Sequence, residues 1–299
     1  MKPMTGPLSG YQTSWFRFDL VAGMTTGAVV IPQSMAYASI AGLPVQAGLY
    51  VALVPMFVYA CLGSSRPLSV SSTSTLAMLT ATQLTLAVPG ADPAVVLGGA
   101  AAAFLGLREA GVTLTGPIPA QIPAPAWPDL SLLRSLWASG LGMALMSFTE
   151  SIAAGRAFAR HDDPRPLPNR ELFALGAANI AGSFFQSFPA GGGTSQTAVN
   201  SRAGARTQVS EWVTVTLVVA TLLFLSPLIS LLPQATLAAV VVVTTLPLLS
   251  TTGFRSILLV RRTEFLWALA ACAGVVAVGT QRMFINLTTA VTAYEARGK

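Results

Sequence analysis

Long stretches without a single charged side chain constrain this sequence more than any other feature. Residues 20–65, 67–91, 93–107, 135–149, 172–201, 212–254 and 265–280 contain no Asp, Glu, Lys or Arg. A helix needs about 20 apolar residues to cross the hydrocarbon core of a bilayer. The 20–65 and 212–254 runs are each long enough for two crossings, broken at Gly42-Leu43-Pro44 and between Pro227 and Pro233. Backbone in lipid must satisfy its own polar groups, so helices are the default. The chain is 53% hydrophobic and 9% charged, whereas a soluble domain carries roughly 25% charged residues. That excludes a disordered chain, a nucleic-acid binder and an ordinary cytosolic enzyme; the partner is the lipid bilayer. His161 stands alone, which argues against a catalytic triad or a multi-His metal site. Cys61 and Cys272 sit in apolar stretches and read as small buried hydrophobes. No metal and no resident cofactor is expected.

Crossings are expected near 20–41, 45–62, 73–88, 93–107, 135–158, 171–187, 194–209, 211–229, 233–251 and 264–280. Basic residues orient them, because Lys and Arg accumulate in cytoplasmic loops. Lys2 and Arg17 place the N-terminus inside, and Arg66 and Arg108 return inside after even numbers of spans. In the second half, Arg156 to Arg170, then Arg202 with Arg206, then Arg255 to Arg262 alternate correctly as well. The halves do not join. The connector from Glu109 to Asp129 would itself have to cross, yet its five prolines exclude a helix. An odd number of spans is therefore missing there, or one half is inverted.

Two polar interruptions stand out. Arg66-Pro67-Leu68-Ser69-Val70-Ser71-Ser72-Thr73-Ser74-Thr75 precedes one short hydrophobic helix, and Pro189-Ala190-Gly191-Gly192-Gly193-Thr194-Ser195-Gln196 precedes another. A helix that starts within the membrane presents unpaired N–H groups and a partial positive charge, which suits an anion. Interrupted segments in matching positions of two halves point to a transporter site. Gln33 lies 39 residues before Ser72 and Glu150 lies 45 before Ser195, so each half repeats a similar spacing. The competing reading is that these hydroxyls only cap or pack helices.

Glu150 is read as the one carboxylate well inside an apolar run, which costs several kcal/mol unless it is paired, protonated or ion-bound. It is either a proton or cation coupling site or a structural hydrogen-bond partner of the neighbouring interrupted helix. Gln33 and Tyr37 are four apart and share a helix face, which would line the site. Glycines 191–193 are not a phosphate loop, since no Gly-Lys-Ser/Thr follows.

Asp19-Leu20-Val21-Ala22-Gly23, Ile31-Pro32-Gln33-Ser34-Met35-Ala36-Tyr37-Ala38, Gly42-Leu43-Pro44 and Gly48-Leu49-Tyr50 resemble the opening of the sulfate permease (SulP) family of anion transporters. Leu68-Ser69-Val70, Glu150-Ser151-Ile152-Ala153, Asn179-Ile180-Ala181-Gly182-Ser183, Ala198-Val199-Asn200 and Ala203-Gly204-Ala205-Arg206-Thr207-Gln208 resemble its later motifs, in order. The resemblance implies an all-α polytopic membrane protein, an inverted-repeat transporter core of the 7+7 type. The anion would lie between the starts of the family's third and tenth helices, which match the segments at Ser72 and Thr194. Gln33, Tyr37, Ser72, Thr73, Gly193, Thr194 and Ser195 become the candidate anion-binding residues, and Glu150, matching the acidic residue of the eighth helix, the ion-coupling one. A homodimer is implied by resemblance alone.

Departures accompany the match. The stretch between Leu107 and about Val112 lacks the family's fifth, sixth and most of its seventh helices, which agrees with the topology defect. The last helix and the cytoplasmic STAS domain have no counterpart either, so most of the gate domain is missing. Ser71-Ser72 stands where Gly-Pro is usual, and Gln196 where Arg is common. The expected organisation is a cytoplasmic segment 1–18, a first half of the core 19–107, a Pro-rich connector 108–130, a second half 131–230, remaining gate helices 231–280 and a tail 281–299. The expected function is secondary active transport of sulfate, bicarbonate or a dicarboxylate by alternating access, coupled to H+ or Na+, in an inner (cell) membrane. The alternative is a non-transporting remnant or partial gene product that at most binds anions. A nucleobase carrier of the same architecture is a third reading, which the anion-family motifs disfavour.

Overall fold

A computed structural model describes residues 11–87, 118–128 and 133–230, with isolated positions at 131 and between 236 and 243. The expected crossings at 93–107 and 264–280 lie outside the described residues, as does all of 233–251 but those isolated positions. A short 3-10 turn, Thr13–Trp15, leads into α1, Phe16–Ile40. α1 has 25 residues, and at 1.5 Å per residue a helix of that length outspans a bilayer core of about 30 Å. Pro32 lies inside it, as proline can in a membrane-spanning helix.

The next crossing is made in two pieces, α2 (Val45–Val51) and α3 (Val54–Leu62), with Pro55 at the start of the second. Val45–Leu62 and Val209–Ile229 are described stretches long and apolar enough to span a membrane. After β1 (Val70–Ser71) come α4 (Ser74–Ala87), α5 (Leu133–Ala157) and α6 (Pro168–Phe184). Then follow β2 (Gly191–Gly192), α7 (Thr194–Arg202), α8 (Val209–Ala220), a π-helical turn at Thr221–Leu225 and α9 (Ser226–Ile229). α7 is shorter than the expected 194–209 segment. It stops because Gly204 takes φ +101, a left-handed conformation that glycine adopts without a Cβ penalty.

Small residues set the helix packing, as expected where lipid offers no hydrophobic drive between helices. α1 lies along α8 and also packs on α2 and α7. A Cβ at Gly23 would strike the Ser210 carbonyl, and one at Gly27 would come within 2.7 Å of Leu217. At Gly48 it would strike the Ser34 carbonyl, so α1 and α2 touch backbone to backbone.

Three carboxylates lock this packing, and all three are more buried than Glu150, contrary to the expectation that Glu150 stands alone. Asp19 accepts the amides of Arg206 (2.6 Å) and Thr207 (3.0 Å) and the Thr207 hydroxyl (2.7 Å). Glu171 accepts the Tyr59 hydroxyl (2.5 Å), the amide and hydroxyl of Ser64 (2.8 and 2.5 Å) and the Ser65 amide (3.0 Å). Glu211 is buried between Ser69 and Asn200. Each carboxylate sits in the first turn of its helix, where negative charge is favoured. Counting uncharged runs places such residues at the edges of spans, which is why they read as boundaries.

Candidate functional site

Both polar interruptions break their helices, and the two extended pieces pair with each other. β1 and β2 are antiparallel, with Val70 opposite Gly192 and Ser71 opposite Gly191. The ladder continues one step, because the Gly193 amide donates to the Ser69 carbonyl at 3.1 Å. The glycines are required by α5, which presses on the ladder. A Cβ at Gly192 would come within 2.7 Å of the Ser151 Cα, and one at Gly191 within 3.0 Å of Ser147 and Leu76.

Extended backbone inside a membrane needs partners for the groups the ladder leaves over, and side chains supply them. Gln208 Nε2 donates to the carbonyls of Ser65 (2.7 Å) and Leu68 (2.9 Å), and Asn200 Nδ2 to that of Pro67 (3.1 Å). On the other interruption, Asn179 pairs with Ala190 as a strand neighbour would, accepting its amide (2.8 Å) and donating to its carbonyl (3.1 Å). Ser147 donates to the Ala190 carbonyl (2.8 Å), and Ser151 accepts the Gly192 amide (2.8 Å). Ser147 and Ser151, four apart on α5, flank the face beside Glu150.

The ladder brings the starts of α4 and α7 together, and α1 crosses them. Gln33 Nε2 donates to the Tyr37 hydroxyl and to Ser195 Oγ, both at 2.9 Å. Tyr37 also faces Ser74 and Glu150. Its phenol therefore touches the first residue of α4 and the second of α7. Thr73 donates to Glu150 Oε2 at 3.0 Å, and the same hydroxyl accepts the Leu76 amide at 3.2 Å, capping α4. α7 has no side-chain cap. Gln33, Tyr37, Ser72, Thr73, Gly193 and Ser195 are buried, Glu150 is half-buried and Thr194 is exposed. The Gly193 amide is already spent on the ladder, so this glycine offers space rather than a donor. Two buried polar atoms here lack a protein partner, Gln33 Oε1 and Ser72 Oγ.

The residues at the two expected departures, Ser71-Ser72 and Gln196, meet in space. Ser71 Oγ donates to Gln196 Oε1 at 2.7 Å, and Gln196 Nε2 donates to the Ser72 carbonyl at 3.0 Å. Gln196 is wholly buried and ties the first turn of α7 to the residue just before Thr73. Sequence reading treated it only as a lost charge. Ser74, Ser147, Ser151 and Asn179 were also missed as parts of the site. The four-residue spacing of the two serines beside Glu150 was the available signal.

The protein-family model described as "Sulfate permease family" matches residues 16–93 and 83–271. A probable sulfate transporter of Mycobacterium tuberculosis is 28% identical over 381 residues, taking in 90% of this chain and 68% of that protein. The chloroplastic sulfate transporter 4.1 of Arabidopsis thaliana is 26% identical over 348 residues, with 77% of this chain and 51% of that protein covered. The mycobacterial alignment is longer than this whole chain, so a long stretch of that relative has no counterpart here. Among solved structures, SLC26A9 superposes with a TM-score of 0.73 at 17% identity, covering 95% of this chain and 68% of that one. The transmembrane domain of a cyanobacterium bicarbonate transporter, BicA, gives 0.66 at 16% identity, covering 89% and 97%. At such identities these likenesses concern the fold, which is that of multi-pass membrane transport domains.

Proposed function

The chain belongs to the sulfate permease family, a family of membrane anion transporters and not of enzymes, and on that premise we propose that it moves a small inorganic or organic anion by alternating access. Sulfate, bicarbonate and a dicarboxylate are the candidate substrates. The observation that carries the reading is the meeting of two helix starts, Ser74 and Thr194, at the Gln33–Tyr37 face of α1.

Gln33, Tyr37, Ser72, Thr73, Gly193, Thr194 and Ser195 form the anion pocket in this reading. The first-turn amides of α7 supply positive potential without a basic side chain. Gln33 adds an adaptable group. A half-turn of its amide lets its oxygen accept from Tyr37 and Ser195 and turns the NH2 toward the place its unpaired oxygen now occupies. Glu150 carries the coupling ion, H+ or Na+, and Thr73 links its charge to the cap of α4. The N-terminus lies in the cytoplasm, the membrane is an inner (cell) membrane, and the protein works as a homodimer. The six-part division of the chain, with its Pro-rich connector at 108–130, belongs to the same reading.

Radiolabelled sulfate uptake into proteoliposomes tests it, with Ser195→Ala and Glu150→Gln beside the wild type. Saturable uptake, weakened by the first variant and altered in its pH or sodium dependence by the second, is expected. A second reading draws on the stretch of the mycobacterial relative that has no counterpart here. In it the chain is a non-transporting remnant or partial gene product, and sulfate binding by calorimetry without uptake would select it.

A further inference from the structure

Glu211 has no part in the anion pocket, yet it is among the most deeply buried ionisable groups in the described chain. Its side chain is 0% exposed. Oε2 accepts the Ser69 hydroxyl at 3.0 Å, and Oε1 accepts Asn200 Nδ2 at 2.9 Å. Both donors are neutral. A buried carboxylate is normally held by a cation or by several donors. Glu171, one helix away, has four donors; Glu211 has two.

Among the described residues no basic group is aimed at it. From α3 it faces Tyr59, whose hydroxyl is given to Glu171 of α6. From α7 it faces Asn200, which Thr26 of α1 backs at 3.3 Å. Asp19 of α1 is occupied by the amides of Arg206 and Thr207. The nearby arginines point elsewhere. Arg66 reaches Asp163 at 3.5 Å and lies over the Trp15 ring, Arg206 lies over Phe18, and Arg202 is exposed.

We propose that Glu211 is a proton-binding site of the core, separate from Glu150 and joined to the start of α7 through Ser69. The step is a simple proton exchange, carboxylate plus H+ giving the neutral acid. The Ser69 hydroxyl suits both forms, donating to the carboxylate and accepting from the acid after a rotation about its C–O bond. Ser69 is also the residue whose carbonyl accepts the Gly193 amide (3.1 Å) and whose own amide donates to Thr197 Oγ1 (3.2 Å). Asn200 sits near the other end of the same helix. The charge on Glu211 thus acts on α7 at both ends, without touching the pocket. What the proton does rests on the transport reading; the existence of the proton site does not.

Infrared difference spectroscopy of the full chain in lipid nanodiscs, titrated with pH, tests the site directly. A protonated-carboxyl C=O stretch that titrates is expected, lost in Glu211→Gln and kept in Glu150→Gln. Persistence of that band in a folded Glu211→Gln protein, or no titrating carboxyl band in the wild type, would overturn the proposal. Should Glu211→Gln fail to fold, Ser69→Ala keeps the acid and removes one hydrogen bond, so the band moves to higher frequency; an unmoved band overturns it equally. Calorimetric titration with sulfate across pH then tests the link to α7. Wild-type affinity should change by up to about tenfold per pH unit, and Glu211→Gln should flatten that slope. Absence of binding for sulfate, bicarbonate and a dicarboxylate alike would sink the transport reading, while the infrared arm still decides the proton site.

Discussion

The two helix starts that meet at α1 are built differently. α4 begins on residues with side chains, and Thr73 caps it while donating to Glu150. α7 begins on three glycines, has no side-chain cap and sends its Gln196 across to Ser71 and Ser72. A capped helix end has less unspent potential for a ligand than an uncapped one. The pair therefore divides the labour: α4 is wired to an acid, and α7 leaves its first-turn amides open. An inverted repeat of the chain does not imply an equal role for its two halves.

The sharpest way to break this asymmetry is to give the glycine side a side chain. Gly192→Ala would force a methyl against the Ser151 Cα, and overpacking of this kind costs about 1–3 kcal/mol. Its thermal midpoint in detergent should fall the most, as a fluorescence-detected melt would report; an unchanged midpoint would show that the ladder yields. Next comes Gln196→Leu. It strands the Ser71 hydroxyl and the Ser72 carbonyl in a buried place, at about 1–3 kcal/mol, and should cut sulfate affinity because α7 loses its tie to the opposite start.

Thr73→Ala probes the capped side. Loss of the cap should cost about 1 kcal/mol, and the pH or sodium dependence of uptake should change with it. Thr73→Ser should restore both, and a serine variant that behaves like alanine would count against the shared hydroxyl. Smallest in stability is Ser195→Ala, at about 0.5–1.5 kcal/mol for one hydrogen bond. Its effect should appear in sulfate affinity, with little shift in the melt. Equal effects of Thr73→Ala and Ser195→Ala on coupling-ion dependence would erase the distinction between the two starts.

Much of this arrangement was legible in the sequence. Pro67 and glycines 191–193 announced interrupted crossings, and the i, i+4 spacing put Gln33 and Tyr37 on one face, where they bond to each other. Membership in the sulfate permease family was carried by short motifs spread from Asp19 to Gln208. The pairing of Val70–Ser71 with Gly191–Gly192 was not legible, because two-residue strands have no alternation to read. Nor were the buried carboxylates Asp19, Glu171 and Glu211. A run-based reading knows where charge is absent, but not that a helix start can be sunk among donors from distant segments. Gln196 was read as a lost charge when it is a bridge, since one sequence does not show that Ser71-Ser72 and Gln196 touch.

The two-rung ladder also has a mechanical consequence. Pulling α4 away from α7 would break the Ser69–Gly193 bond and both Gln196 bonds, all of them between buried residues. On the transport reading, an anion held between those ends would travel with α4 and α7 together, as cargo in a single rigid carriage.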